Sequence, residues 1–333
     1  MAGPFDVDPT SVERLGAAFA LFVNDLLVAE VGRAGLLGFQ LDINSQTNTA
    51  DGGVDAALRS SNATDWLPKG DSAWQFKSSD LEPAECKEEL KGAAFARDLM
   101  SKGATYVLVL GRPLVGTMKQ SRLGALREQA EALGLDGSVI RLYDGNQLAR
   151  WVSTLPALAL DRRLGGPGPA VLDFERWSSS AEHQERWVAC PSRAEMEAAV
   201  TSISTGDLPI YRLEGGSGLG KTRLAMEVLR SAEARPLVVY APRAEQLQTE
   251  TVSYLCDGER TSILVVDNCS RAYHQSIVEQ IDGRKVRLLT IGIDAEERLV
   301  RTPLHQLPAA EPGEIDAILQ ENVPGLWPEV RCV

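Results

Sequence analysis

The stretch "LEGGSGLGKTRLAMEVL", residues 213 to 229, constrains this chain more than any other. It matches G-x-x-x-x-G-K-[ST] at Gly215, Gly220, Lys221 and Thr222. It follows an apolar run that reads as a strand and opens a helix-period run, the context this pattern requires. Glycines there let the amides of Gly215, Gly216, Ser217, Gly218 and Gly220 turn inward as an anion nest at a helix N-terminus. Lys221 is expected to reach the β- and γ-phosphates of ATP, and the Thr222 hydroxyl to ligate Mg2+. Such a loop needs a strand behind it, and the apolar runs "PIYRLEG" (209–215), "LVVYA" (237–241), "SILVVD" (262–267) and "VRLLTIG" (286–292) supply a parallel sheet with helix-length segments between them. Asp267, ending one of these runs, fits the carboxylate that holds the same ion. Its bland alternative is a strand-end turn residue. Asn268 follows where many fast ATPases place a water-activating carboxylate, so slow hydrolysis is expected.

The residues ahead of this module are long enough for a second core, since a chain of 333 residues exceeds a usual single domain. Thr10 to Val31 has helical spacing opened by Thr10 and Glu13 as a capping box. "FQLDI", "GVDAAL" and "AWQFK" read as a three-stranded meander. A polar helix from Ala84 to Met100, the strand "YVLVLG", a helix over 119–133, the strand "VIRLYD" and a short helix before Pro156 complete an α-β-β-β-α-β-α-β string. That order predicts an α/β fold with a mixed sheet and flanking helices. The boundaries expected are 1–162 for the first domain, 163–170 ("RLGGPGPA") for a linker, and 171–333 for the P-loop domain.

Within the meander, alternation of faces puts Gln75 and Lys77 on one side of their strand, with Asp55 on the same side if the segments pair. A carboxylate and an amide oxygen can hold a hard cation such as Mg2+, and a nearby ammonium adds a point charge. Phosphodiester hydrolysis uses that combination. The bland reading of Asp55 and Lys77 is an exposed ion pair.

"GGVDA" and "WQFKSS", after a helix and a strand, resemble the Mrr-like branch of the PD-(D/E)XK nucleases over roughly residues 10 to 156. The resemblance implies a restriction-endonuclease-like fold acting on double-stranded DNA, with Asp55 and Gln75 as metal positions and Lys77 catalytic. Many relatives carry an acidic residue in the first helix, in an F-E pair, where this chain has Phe19–Ala20. Glu13 and Glu30 are the candidates for that missing acid. The second half, with "GKTRLAMEVL" and "RLLTIG", resembles STAND-type signalling ATPases over about 170 to 320. That resemblance implies Thr290 as a polar sensor, against a structural strand-end role, with Arg298 and Arg301 as further sensor candidates. It also implies a lid, a winged-helix module and sensor repeats, which are expected to lie outside this sequence. Together the two resemble bacterial antiviral STAND proteins, implying a homo-oligomer formed on activation by a ligand such as a phage protein. Two rival readings are an inactive DNA- or protein-binding module on a signalling ATPase, and an NTP-powered restriction enzyme.

Composition narrows the setting. A net charge of −12 argues against a protein that coats nucleic acid indiscriminately, while a local basic cleft stays compatible. No uninterrupted apolar stretch approaches the ~18 residues of a membrane span, and "MAGPFDVD" lacks the features of a secretory signal, so a cytoplasmic protein without membrane partners is expected. Cys86, Cys190, Cys256, Cys269 and Cys332 are scattered and read as reduced thiols. His183, His274 and His305 lack partners at motif spacing and read as surface residues.

Overall fold

The computed structural model describes residues 3–34, 40–43, 54–162, 164, 170–180, 186–207, 209–232, 234–293 and 302–322, with backbone alone at 34, 40–43 and 305. The chain divides into two compact units, Met1–Thr154 with Arg163–Gly166, and Leu155–Arg162 with Pro167–Val333. Each is α/β, as expected. Most of 163–170 lies outside the described residues.

In the first unit, helix α1 (Pro9–Glu13) is capped by Asp8, whose carboxylate accepts from the Thr10 amide at 2.8 Å. The Thr10–Glu13 capping box is not used. The chain then leaves the α path at Gly16, whose φ of +52° a glycine adopts at no steric cost. Helix α2 (Phe19–Ala34) begins after that break, so the single helix expected over 10–31 is two. Strands β1 (Gln40–Ile43), β2 (Ala56–Ser60) and β3 (Gly70–Lys77) form the expected antiparallel meander. The helix expected over 84–100 is also two, α3 (Pro83–Gly92) and α4 (Ala94–Ser101), separated by Ala93 at ψ 70°. Strand β4 (Thr105–Leu110), helix α5 (Gly116–Ala132), strand β5 (Ile140–Tyr143) and helix α6 (Gly145–Ser153) follow.

The sheet order is β1-β2-β3-β4-β5, with β3, β4 and β5 parallel. Its two faces bury different chemistry. Ala73, Tyr106, Leu108 and Leu110 pack with Cys86 and Leu90 of α3 and Leu126 of α5. On the other face Trp74, Tyr143 and Trp151 form an aromatic cluster in which Trp66 stacks on Trp151, centroids 5.2 Å apart. Glu30 is sealed at its edge, accepting from Trp151 Nε1 at 3.1 Å and from Arg33 at 2.6 Å.

The second unit opens with helix α7 (Pro156–Asp161), which packs on strand β6 (Leu172–Asp173) and on the helix after it, α8 (Phe174–Ser178). Helix α9 (Ala194–Thr205), strand β7 (Ile210–Glu214), helix α10 (Lys221–Val228), strand β8 (Val238–Ala241), helix α11 (Thr249–Leu255) and strand β9 (Ser262–Val266) come next. Helix α12 (Arg271–Ile281), strand β10 (Val286–Ile291), strand β11 (Leu304–Gln306) and helix α13 (Pro312–Asn322) complete it. The sheet order is β11-β7-β10-β9-β8-β6. All pairings are parallel except β6 with β8, so the expected parallel sheet carries one short antiparallel edge. The carboxyl ends of β7 to β10 therefore open on one rim, where ligands of such sheets bind.

Candidate functional sites, a phosphate loop and a polar face of the first sheet

Sequence dictates the shape of the loop between β7 and α10. Gly215, Gly218 and Gly220 take φ values of 146°, 78° and 81°. A side chain would be strained at Gly215, where a Cβ would lie 3.0 Å from the Leu307 carbonyl oxygen at a φ that L side chains rarely adopt. The loop from Ser217 to Thr222 lines a cleft of about 880 Å³ that Tyr240, Asp267 and Arg193 also line, and Gly216 lies just behind it. Lys221 is only 7% exposed and folds over the loop, its ammonium donating to the Gly215 and Gly216 carbonyls at 2.8 and 2.7 Å. Burial holds its pKa below the usual lysine value, partly offset by the Asp267 carboxylate. An anion among the amides would favour the charged form and raise the pKa again.

Thr222 and Asp267 meet as the sequence expects: the hydroxyl donates to Asp267 Oδ2 at 2.6 Å. Tyr240 donates to the same oxygen at 3.1 Å and is itself stacked on Trp177 at 4.3 Å. The other carboxylate oxygen accepts from the Asn268 amide at 2.7 Å. A hydroxyl, one carboxylate and substrate phosphates are the oxygen set that Mg2+ takes while keeping waters, so Thr222 and Asp267 fit that ion. Asn268 is exposed at φ +48°, and its amide donates to Pro242 O at 3.1 Å.

Behind the loop lies a buried polar lattice. Arg271 grips Glu214 through two bonds of 3.0 and 2.9 Å, and Arg212 bonds Glu214, Thr290 and the Cys269 carbonyl. Thr290 is thereby occupied, its hydroxyl shared by Arg212 and His274, and it does not line the cleft. His274 is buried, which corrects the surface reading. Its two ring nitrogens meet the hydroxyls of Thr290 and Thr302 at 2.8 and 3.0 Å, partners that lie 16 and 28 residues away in sequence. Burial, with help from Arg212, lowers its pKa to about 4. His183, Arg298 and Arg301 lie outside the described residues, as does the side chain of His305.

In the first unit, the Asp55 amide donates to Trp74 O at 2.8 Å and its carboxylate accepts from the Phe76 amide at 2.7 Å, so its two bonds bracket Gln75. Gln75 is 4% exposed. Its amide group donates to Glu89 and its oxygen accepts from the Tyr106 hydroxyl. Lys77, 32% exposed, pairs with the same Glu89 oxygen at 2.5 Å. Gln75 and Lys77 are thus joined through a carboxylate from α3, and Asp55 is tied to the strand between them. Burial raises the Tyr106 pKa well above the usual phenol value, with the Glu89, Cys86 and Asp55 charges adding to it, so the hydroxyl stays a donor. The other two acids go elsewhere. Glu13 is 3.9 Å from Arg112 near solvent, and Glu30 belongs to the opposite, aromatic face of the sheet. Among the described residues no group of three or more His, Cys, Asp and Glu side chains is placed to hold a metal. Asp55 and Gln75, the expected metal positions, carry oxygens of the kind a hard cation takes, but the Gln75 oxygen is occupied by the Tyr106 hydroxyl and its NH2 group, not its oxygen, faces Glu89.

No protein-family model matches the chain, and no curated protein matches it. Among solved structures, a match is the structure of C. elegans PCH-2, 13% identical over 58% of this chain and 58% of that chain, with a TM-score of 0.33. A likeness of that degree carries no argument about fold or activity.

Three site residues escaped sequence reasoning. Glu89 sits in a helix rich in surface glutamates, and only its place beside Leu90 hinted at a sheet-facing role. Tyr240 is hidden in a continuous apolar strand. Arg193 precedes α9, is 5% exposed, and its Nε has no hydrogen-bond partner among the described residues. Its Nη1 lies 3.2 Å from where a Cβ on Gly220 would be. The described cysteines, Cys86, Cys190, Cys256 and Cys269, are all free thiols. No helix among the described residues is long and apolar enough to cross a membrane.

Proposed function

We propose that the second unit binds ATP with Mg2+ through Gly215–Thr222 and Asp267, and that the first is a metal-dependent endonuclease for double-stranded DNA whose activity ATP binding controls. The observation that carries the nucleotide half is the glycine loop with Lys221 folded on it and the Thr222–Asp267 pair beside it. Lys221 would leave the loop carbonyls for phosphate oxygens, and Asp267 and Thr222 would hold the ion, which supplies charge neutralisation between phosphates. What supports the nuclease half is the common face of Asp55, Gln75 and Lys77. There the ion would activate water and stabilise charge, while Lys77 supplies a fixed positive group near the phosphate. A role in antiphage defence, with homo-oligomer assembly triggered by a ligand, extends this reading and rests on resemblance alone.

The test is cleavage of supercoiled plasmid by the full chain with Mg2+ or Mn2+, with and without ATP, against Lys77→Ala and Asp55→Asn. Loss of cleavage in both variants, with folding retained, supports the reading; cleavage that survives both sinks it. The burial of Gln75 and the Lys77–Glu89 pair favour one rival, an inactive binding module. DNA binding by wild type with no cleavage under any metal or nucleotide would establish that rival instead.

A further inference from the structure

We infer that Tyr240 of β8, held against the face of Trp177, is the positioning residue that orients the Asp267 carboxylate for Mg2+ in the nucleotide site. The inference rests on the nucleotide reading above and deepens it.

The strands bring the two side chains together. In the parallel pair of β8 and β9, Tyr240 lies opposite Val265, and Asp267 follows two residues later on the same side. The ladder continues past the strand ends, the Asp267 amide donating to Ala241 O at 2.9 Å, so the backbone that carries the carboxylate is fixed. The carboxylate itself is held by three donors. Its Oδ2 accepts from the Thr222 hydroxyl at 2.6 Å and from the Tyr240 hydroxyl at 3.1 Å, and its Oδ1 accepts from the Asn268 amide at 2.7 Å. A carboxylate offers about four lone-pair positions, so among the described residues one position on Oδ1 is left for an ion or its water. The Thr222 oxygen is itself an expected ligand, and Asn268 contributes only its backbone. Tyr240 is the donor braced from behind. Its ring stacks on Trp177 with centroids 4.3 Å and planes 8° apart, and Trp177, 1% exposed, meets Phe174 edge-on at 5.8 Å. That stack, more than the longer of the two bonds to Oδ2, fixes where the hydroxyl stands. Packing gives no reason for the hydroxyl. The neighbours of Tyr240 in β8, Val238, Val239 and Ala241, are aliphatic and fully buried, and a phenylalanine would fill the same space. The hydroxyl is what reaches the carboxylate in the cleft. Groups that orient a metal's ligands in this way typically carry tenfold or more of the metal's affinity.

The experiment measures Kd of the full chain for a fluorescent ATP analogue, once with Mg2+ and once with a chelator, and reads the ratio of the two. In wild type Mg2+ is expected to tighten binding, and Asp267→Asn should bring the ratio to about one. Tyr240→Phe, which keeps the stack on Trp177 and removes only the hydroxyl, should lower the ratio about tenfold. A purely structural role would move both Kd values together and leave the ratio at its wild-type value. Melting temperatures identify any variant that has merely unfolded. Should Tyr240→Phe unfold, Trp177→Leu, which removes the backing ring and keeps the hydroxyl, replaces it and should lose part of the same ratio. A wild-type ratio in the folded variant overturns this inference while the Asp267→Asn result leaves the nucleotide reading standing. Binding by wild type that is indifferent to Mg2+ also overturns it, and failure of wild type to bind the analogue in either condition overturns both together.

Discussion

Lys221 is nearly buried and, among the described residues, its hydrogen bonds go to the Gly215 and Gly216 carbonyls, so the proposed nucleotide site gives its ammonium an anion to meet. Replacing Lys221 with Ala removes one charge-assisted bond of about 1.5–3 kcal/mol, so Kd for a fluorescent ATP analogue should rise roughly ten- to hundredfold. Arg193→Ala should weaken binding by a similar factor, because its guanidinium borders Gly220 with Nε unpartnered among the described residues. An unchanged Kd would show that Arg193 faces away from the bound phosphates. His274 makes a different demand. Its folded pKa of about 4 lies below the unfolded value of 6.5, so between those pH values the unfolded chain binds the extra proton. Its neutral form therefore stabilises the fold fully above pH 6.5, and that contribution is lost as pH falls toward 4. The melting temperature should drop more between pH 7 and pH 5 in wild type than in His274→Gln. Equal slopes would remove His274 from the acid response.

The strands were readable because each is a short apolar run whose alternation or continuity reports its burial, and the phosphate loop because glycine, lysine and threonine are needed at fixed spacing. Helix continuity was not readable: the breaks at Gly16 and Ala93 answer to how the flanking turns pack, and helical spacing runs straight through both. Strands β6 and β11, two and three residues long, are too short to leave a period. Partnerships were the least accessible, since Glu89 and Tyr106 reach Gln75 across 14 and 31 residues. The same holds for Glu30, which joins α2 to α6 through Trp151 across 121 residues. Trp151→Phe keeps the ring stack on Trp66 but deletes the donor to a buried carboxylate. It should destabilise the first unit by about 1–3 kcal/mol, the cost of stranding such a group. Chemical denaturation followed by tryptophan fluorescence measures this, and a loss below about 0.5 kcal/mol would mean that Arg33 alone satisfies Glu30.

Under the proposed function, the molecule uses ATP either as a switch or as fuel. A translocating enzyme needs rapid turnover, with a carboxylate or equivalent base set on the attacking water. Here the residue after Asp267 is Asn268, its backbone amide bonded to Asp267 and its side chain committed to Pro242 O. An asparagine takes no proton, so an ATP bound as proposed would be expected to hydrolyse slowly. ATP turnover is therefore expected well below the ~10 per second of a median enzyme, and without stimulation by DNA. If ATP acts as a switch, cleavage should depend on its occupancy. A slowly hydrolysed ATP analogue should then support plasmid cleavage as well as ATP does, and Lys221→Ala should abolish the nucleotide effect while leaving the residues of the first unit untouched. A motor predicts the reverse: DNA-stimulated turnover, and cleavage that stops when hydrolysis is blocked. Measuring phosphate release and plasmid nicking in one reaction separates the two, because a switch uncouples their rates and a motor ties them together.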